Sequence, residues 1–202
     1  MKLFFHYCSF GFSNCYVLGE DDGVQALVID PGCMDKPLLE YIENNNFSLS
    51  AVLLTHDHKG HVNGLKTFRR IYDVEIFSFN RSVLDYNTRP VKDGEKINIG
   101  PFNVEVISIP GHSADSVAYL IGSLLFTGDA LTSGLVGTTD SAYGAKTQMN
   151  TLRSRLLSLP GDYTILPGHG PPSTMEAERR YNVWINHYSD IQNRKPGFKV
   201  SL

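Results

Sequence analysis

The feature that most constrains this chain is Thr55-His56-Asp57-His58-Lys59-Gly60-His61, three histidines that directly follow the apolar run Ala51-Val52-Leu53-Leu54. Alternate side chains of an extended segment point the same way, so His56 and His58 can converge on one ion while His61 enters from the next turn. Imidazole is the commonest metal-ligating side chain, and solvated loop histidines would have no reason for this spacing. The segment therefore predicts a metal site at a strand end.

Three further β-like runs each end in a ligand type beside glycine: Ile107 to Ser113 with His112, Leu124 to Asp129, and Ile165 to Gly170 with His169. Five of the chain's 7 histidines thus fall at strand ends where glycine or proline lets the backbone turn sharply. Independent placement would rarely give that pattern.

In this order the motifs resemble the metallo-β-lactamase superfamily, in its small glyoxalase II-like hydrolase branch. The resemblance spans nearly the whole chain: Val28-Ile29-Asp30-Pro31-Gly32, the histidine triplet, Pro110-Gly111-His112-Ser113, Phe126-Thr127-Gly128-Asp129, and Leu166-Pro167-Gly168-His169-Gly170 with the residues to Thr174. It implies an α/β fold, the four-layer αββα sandwich, with ligands on loops at one edge. It also implies a first metal held by His56, His58 and His112, a bridging Asp129, and a second metal held by His61 and His169. Asp30 corresponds to an early aspartate that orients a ligand imidazole, although Asp-Pro-Gly is equally a turn former.

One departure stands out. The family pattern His-x-His-x-Asp-His has Gly60 in place of its aspartate. Glycine offers no side-chain ligand, so the expectation is a firm first site and a weakened second one with three donors. Asp57 and Lys59 flank the gap, and a solvent-facing role suits each better than compensation. The family's Gly-Arg-Thr-Asp segment is here Gly137-Thr138-Thr139-Asp140, which removes a cation and disfavours an anionic glutathione conjugate. Tyr143 and Lys146 in the same segment read mainly as solvated loop residues.

The expected reaction is hydrolysis of a thioester or another activated ester or lactone. A divalent ion lowers the pKa of bound water from about 15.7 towards ~7 and supplies hydroxide, while Asp129 or a bound water handles protons on the leaving group. Zinc is the first expectation for the cofactor, with iron or manganese as alternatives. Two other classes compete. A mononuclear iron oxygenase like the persulfide dioxygenases could use His56, His112 and Asp129, and a non-catalytic metal-binding protein could have arisen from the loss at position 60.

Composition bounds the partners. The 202 residues, 42% hydrophobic, suit a single domain over 1–202. A net charge of −3 without long runs of one sign argues for a small-molecule substrate and against nucleic acid or an anionic membrane, with oligomeric state left open. His6 interrupts the short apolar start, which disfavours a signal peptide and points to the cytoplasm. Cys8, Cys15 and Cys33 cannot all pair and match no zinc knuckle, so they read as buried or free thiols; Cys33, after Asp30-Pro31-Gly32, is a lesser candidate for redox or metal contact.

Periodicity predicts strands at Asn14–Leu18, Gln25–Asp30, Val74–Phe79, Phe102–Ile109 and Tyr163–Leu166, and a hairpin of Val117–Ile121 with Leu124–Thr127 closed by Gly122-Ser123. Helices are predicted at Pro37–Asn44, His61–Tyr72, Gln148–Ser158 and Met175–Tyr188, with Thr132–Gly144 irregular and a turn at Asp93 to Lys96. His61 near a helix start would be kept neutral by the helix dipole.

Overall fold

The computed structural model describes residues 1–187. Two six-stranded mixed sheets lie face to face with helices outside, so the four-layer αββα sandwich is the architecture. The first sheet runs in the order β1 (Lys2–Cys8), β2 (Ser13–Gly19), β3 (Gln25–Ile29), β4 (Ser48–Leu53), β5 (Glu75–Ser78) and β8 (Arg89–Pro90). The second runs β16 (Ser173–Thr174), β15 (Thr164–Pro167), β12 (Leu124–Gly128), β11 (Val117–Ile121), β10 (Phe102–Ser108) and β9 (Lys96–Ile99). Two short ribbons, β6 (Ser82–Val83) with β7 (Tyr86–Asn87) and β13 (Leu131–Thr132) with β14 (Leu135–Val136), complete the strands.

Strand alternation builds the layers. Along β2 and β3, Tyr16, Leu18, Leu27 and Ile29 enter the core between the sheets, with Phe102, Val104, Val106, Tyr119 and Phe126 opposite. Their neighbours Cys15, Val17, Ala26 and Val28 face the other way, onto Leu38 and Ile42 of α1 (Lys36–Asn44) and Leu65 and Phe68 of α3 (Leu65–Ile71). Behind the second sheet, Ala118, Leu125 and Ile165 pack on Met149 of α4 (Ala142–Thr151), on Leu152 and Leu156 of its π-helical continuation Leu152–Leu156, and on Met175 of α5 (Met175–Tyr181). Each such aliphatic side chain contributes ~1.5–3 kcal/mol on full burial. No helix among the described residues is long and apolar enough to cross a membrane.

Strand direction gathers the candidate ligands at one edge. β3, β4 and β5 are parallel, and β12 is parallel to β15 and, through antiparallel β11, runs the same way as β10. The segments leaving β3, β4, β10, β12 and β15 therefore carry Asp30, His56, His112, Asp129 and His169. Two buried tyrosines latch the sheets there: the Tyr16 hydroxyl donates to the Pro167 carbonyl (2.6 Å) and the Tyr119 hydroxyl to that of Leu54 (2.9 Å). The cores give each phenol ring its apolar packing, and these bonds satisfy its oxygen.

Several boundaries differ from the sequence expectation. β1, the short strands β6 to β9 and β16 were not foreseen, and Lys96, expected in a turn, starts β9. The helix expected over His61–Tyr72 is two pieces, a single turn α2 (Lys59–Val62) and α3, because the Gly64 amide donates to the Pro31 carbonyl (2.8 Å) instead of to the carbonyl of Gly60 one turn back. α4 starts at Ala142 rather than Gln148, its Ser141 cap accepting from the Gly144 amide. Part of the segment expected to be irregular thus holds a ribbon and a helix start. The closing helix ends at Tyr181, with residues 183–187 helical after a break at Asn182; Tyr188 lies outside the described residues.

Candidate metal centre

Six side chains expected from sequence meet at the sandwich edge. Asp129 sits among four imidazoles: its Oδ2 lies 3.3 Å from His169 Nε2, 3.6 Å from His112 Nε2 and 3.7 Å from His56 Nε2, and its Oδ1 lies 3.3 Å from His61 Nε2. His58 joins through Nδ1, 3.0 Å from His112 Nε2. Donor atoms bound at about 2.0–2.1 Å to one tetrahedral cation would stand ~3.3 Å apart, so these separations suit shared cations. The atoms fall into two groups, His56, His58, His112 with Asp129 and His61, His169 with Asp129.

The far side of four rings is held by the fold, which settles which nitrogen faces the centre. His112 Nδ1–H donates to the Thr138 carbonyl (2.7 Å) and His169 Nδ1–H to that of Phe12 (2.9 Å). Asp30 serves the other two. Its Oδ2 accepts from His61 Nδ1 (3.1 Å) and from the Thr55 hydroxyl (2.6 Å), whose oxygen faces His56 Nδ1 at 3.0 Å, while its Oδ1 accepts the Thr55 amide (2.8 Å). The parallel register of Ile29 with Leu53 brings Asp30 beside Thr55. Asp30 leaves its strand at φ +50°, a left-handed conformation that aspartate tolerates and that turns the carboxylate inward.

Electrostatics divide the rings. Burial, with His61 nearby, drives His56 down to about 3, so it is neutral and able to ligate. His61 is pulled down by burial but pushed up further by Asp129 and Asp30 on either side, to about 10. The expected dipole effect is outweighed there, because α2 is one turn long and two carboxylates flank the ring. Asp129, though buried, is held well below the usual carboxylate range by His169 and His61. Without a cation, a proton on His61 balances the two aspartates.

Backbone space separates two glycines. A Cβ on Gly168 would lie 2.2 Å from Asp129 Oδ1, so only glycine lets that carboxylate sit against β15. A Cβ on Gly60 would meet nothing nearer than 3.6 Å. Glycine at 60 therefore answers no steric demand at Cβ, and the position offers no side-chain donor. Asp57 and Lys59 are exposed and stand outside the donor groups; the Asp57 amide is fixed by Asp115 Oδ2 (2.9 Å), which also accepts from Asn80 (3.0 Å). Asp140, Tyr143 and Lys146 are exposed. Thr55, Asp115 and the carbonyls of Phe12 and Thr138 were missed from sequence; of these only Thr55, beside the triplet, carried a local signal.

The metallo-beta-lactamase superfamily profile matches residues 8–82 and 79–169. The chain is 32% identical over 201 residues to the probable metallo-hydrolase YqgX of Bacillus subtilis, covering 88% of this chain and 94% of that protein. It is 29% identical over 200 residues to the hydroxyacylglutathione hydrolase GloC of Haemophilus influenzae, covering 87% and 94%. The crystal structure of ETHE1 from Myxococcus xanthus superposes with a TM-score of 0.82 at 25% identity, covering 97% of this chain and 93% of that one.

Proposed function

Since the chain belongs to the metallo-β-lactamase superfamily, we propose that it is a metal-dependent hydrolase of the glyoxalase II-like kind, acting on a thioester or another activated ester or lactone. The observation that carries this reading is a set of converging buried polar atoms: His56 Nε2 has no hydrogen-bond partner, and His61 Nε2 and Asp129 Oδ1 face only each other, at 3.3 Å. Buried polar atoms left unpaired cost about 1–3 kcal/mol each, and a cation among them removes that cost. His56, His58, His112 and Asp129 would hold the first ion; His61, His169 and Asp129 would hold a second, weaker one.

A divalent cation supplies Lewis acidity and a water acidified to near neutrality, which is the chemistry that ester hydrolysis requires. The chain does the rest. Thr138, Phe12 and the Asp30–Thr55 pair keep four rings aimed inward, and Asp129, held deprotonated at neutral pH by His169 and His61, supplies the anionic donor common to both groups. Thr138 and Thr139 leave that segment without a cation, which favours a neutral acyl substrate over an anionic conjugate. Zinc is the proposed ion and manganese an alternative.

A second reading, oxygen chemistry at a single iron, rests on the two imidazoles and one carboxylate of His56, His112 and Asp129 together with the short donor set beside Gly60. Purified protein loaded with zinc or manganese should hydrolyse acyl thioesters or lactones equally with and without oxygen, and lose the activity to a chelator. Oxygen uptake with a persulfide in proportion to bound iron, without metal-dependent hydrolysis, overturns the hydrolase reading in favour of the second.

A further inference from the structure

A second set of metal-binding side chains lies elsewhere in the fold. His6 and Cys8 stand two apart on β1 and so share a face, and Cys33 and Asp35 stand two apart on the segment entering α1. The two pairs meet. Cys33 Sγ lies 2.8 Å from Cys8 Sγ, 3.5 Å from His6 Nε2 and 3.7 Å from Asp35 Oδ2, and His6 Nε2 lies 3.0 and 3.1 Å from the two Asp35 oxygens. Cys8 is fully buried and His6 nearly so, while the Asp35 side chain is 41% exposed, which leaves an entry path at one corner.

From these positions we infer that His6, Cys8, Cys33 and Asp35 form a separate, thiolate-rich site for a borderline or soft cation such as zinc. For bonds of about 2.3 Å to sulfur and 2.0–2.1 Å to nitrogen and oxygen, tetrahedral geometry places donors ~3.3–3.8 Å apart. Sulfur to imidazole and sulfur to carboxylate already match, and imidazole to carboxylate is slightly short. The sulfur pair must open by roughly 1 Å, and the Asp35 carboxylate must close on Cys8, because His6, Cys8 and Cys33 alone already lie within 4.8 Å of one another. Two thiolates with an imidazole and a carboxylate select zinc over magnesium or calcium. Binding a divalent ion releases the two thiol protons, and no oxidant is needed.

Asp35 can ligate without giving up its structural task. Its Oδ1 caps α1 by accepting the Leu38 amide (3.2 Å), and its Oδ2 faces Cys33 and His6. A cation here would pin the end of β1 to the Asp30–Asp35 segment, closing a loop across the outer face of the first sheet. Cys15, buried on β2 opposite His6, stands outside the donor group.

Cobalt(II) provides the test, because the histidine–aspartate centre holds no sulfur and a near-ultraviolet sulfur-to-cobalt charge-transfer absorption reports the cysteine site alone, whatever the other centre catalyses. Titrated with cobalt until the histidine–aspartate centre is also filled, the metal-free, reduced full chain should develop this absorption to the extent of one equivalent, and zinc should bleach it. Cys33→Ser should abolish it, and Asp35→Asn, which keeps an oxygen to cap α1, should weaken cobalt affinity about tenfold or more while the fold is unchanged by circular dichroism. Absence of the absorption in wild-type protein whose thiols titrate as reduced overturns the proposal. So does a Cys8–Cys33 disulfide that forms under the same reducing conditions and takes the place of metal.

Discussion

The two halves of the histidine centre share one carboxylate and differ in what surrounds it. On one side three imidazoles, His56, His58 and His112, are grouped with Asp129; on the other two, His61 and His169, beside a glycine whose Cβ would make only ordinary contacts with Gly11 and Ser13. Ring support does not explain the asymmetry, since His61 and His169 are held by Asp30 and Phe12 as firmly as His112 is by Thr138. Donor count does. A centre well ordered on both sides is thus expected, on the proposed function, to hold two cations with unequal affinity.

The largest expected effect breaks the stronger half. His112→Ala or Asp129→Asn should lower kcat/KM on an acyl thioester by ~10³-fold or more, since several kcal/mol of transition-state stabilisation goes with the cation. His169→Ala should cost less, about 10–100-fold. Equal losses for His112→Ala and His169→Ala in steady-state assays would erase the asymmetry.

Next comes the group common to both halves. Asp30→Asn should weaken metal affinity about 10–100-fold in competition with a chelator, and should lower thermal stability because the Thr55 amide and hydroxyl lose their ionised acceptor. Gly60→Asp sharpens the comparison from the other side. Metal content by elemental analysis should rise from about one equivalent towards two, with activity raised by up to ~10-fold. Metal gained without any turnover would favour a non-catalytic binding protein.

The smallest effect is a slope with pH. His61 is raised from an ordinary ~6.5 to about 10, so its proton stabilises the metal-free fold fully below about pH 6.5 and that contribution is lost as pH rises through about 10. The melting temperature of metal-free protein should fall over this window. Only zinc in excess, enough for a second cation to take the proton's place beside His61, should remove the slope.

Much of this centre was legible in sequence because each donor comes within a few residues of an apolar strand and adjoins glycine or proline. Asp30, His56, His112, Asp129 and His169 could be found that way, and register alone then brings Asp30 to Thr55. What escaped depended on chain segments far apart. Phe12 and Thr138 act through backbone carbonyls, which carry no residue signature. The extent of α4 was hidden by Gly144, a poor helix former, near its start. β1 was hidden by an edge strand whose Leu3, Phe5 and Tyr7 stay exposed. Missing β1 also concealed that Cys8 and Cys33, spaced unlike any zinc knuckle, lie side by side.

Asp30 touches both halves, reaching His61 directly and His56 through the Thr55 hydroxyl. Whatever shifts its charge density towards one ring withdraws it from the other. A change of charge at Asp30 would therefore be felt by a ring of each group at once, with no movement of either ring required.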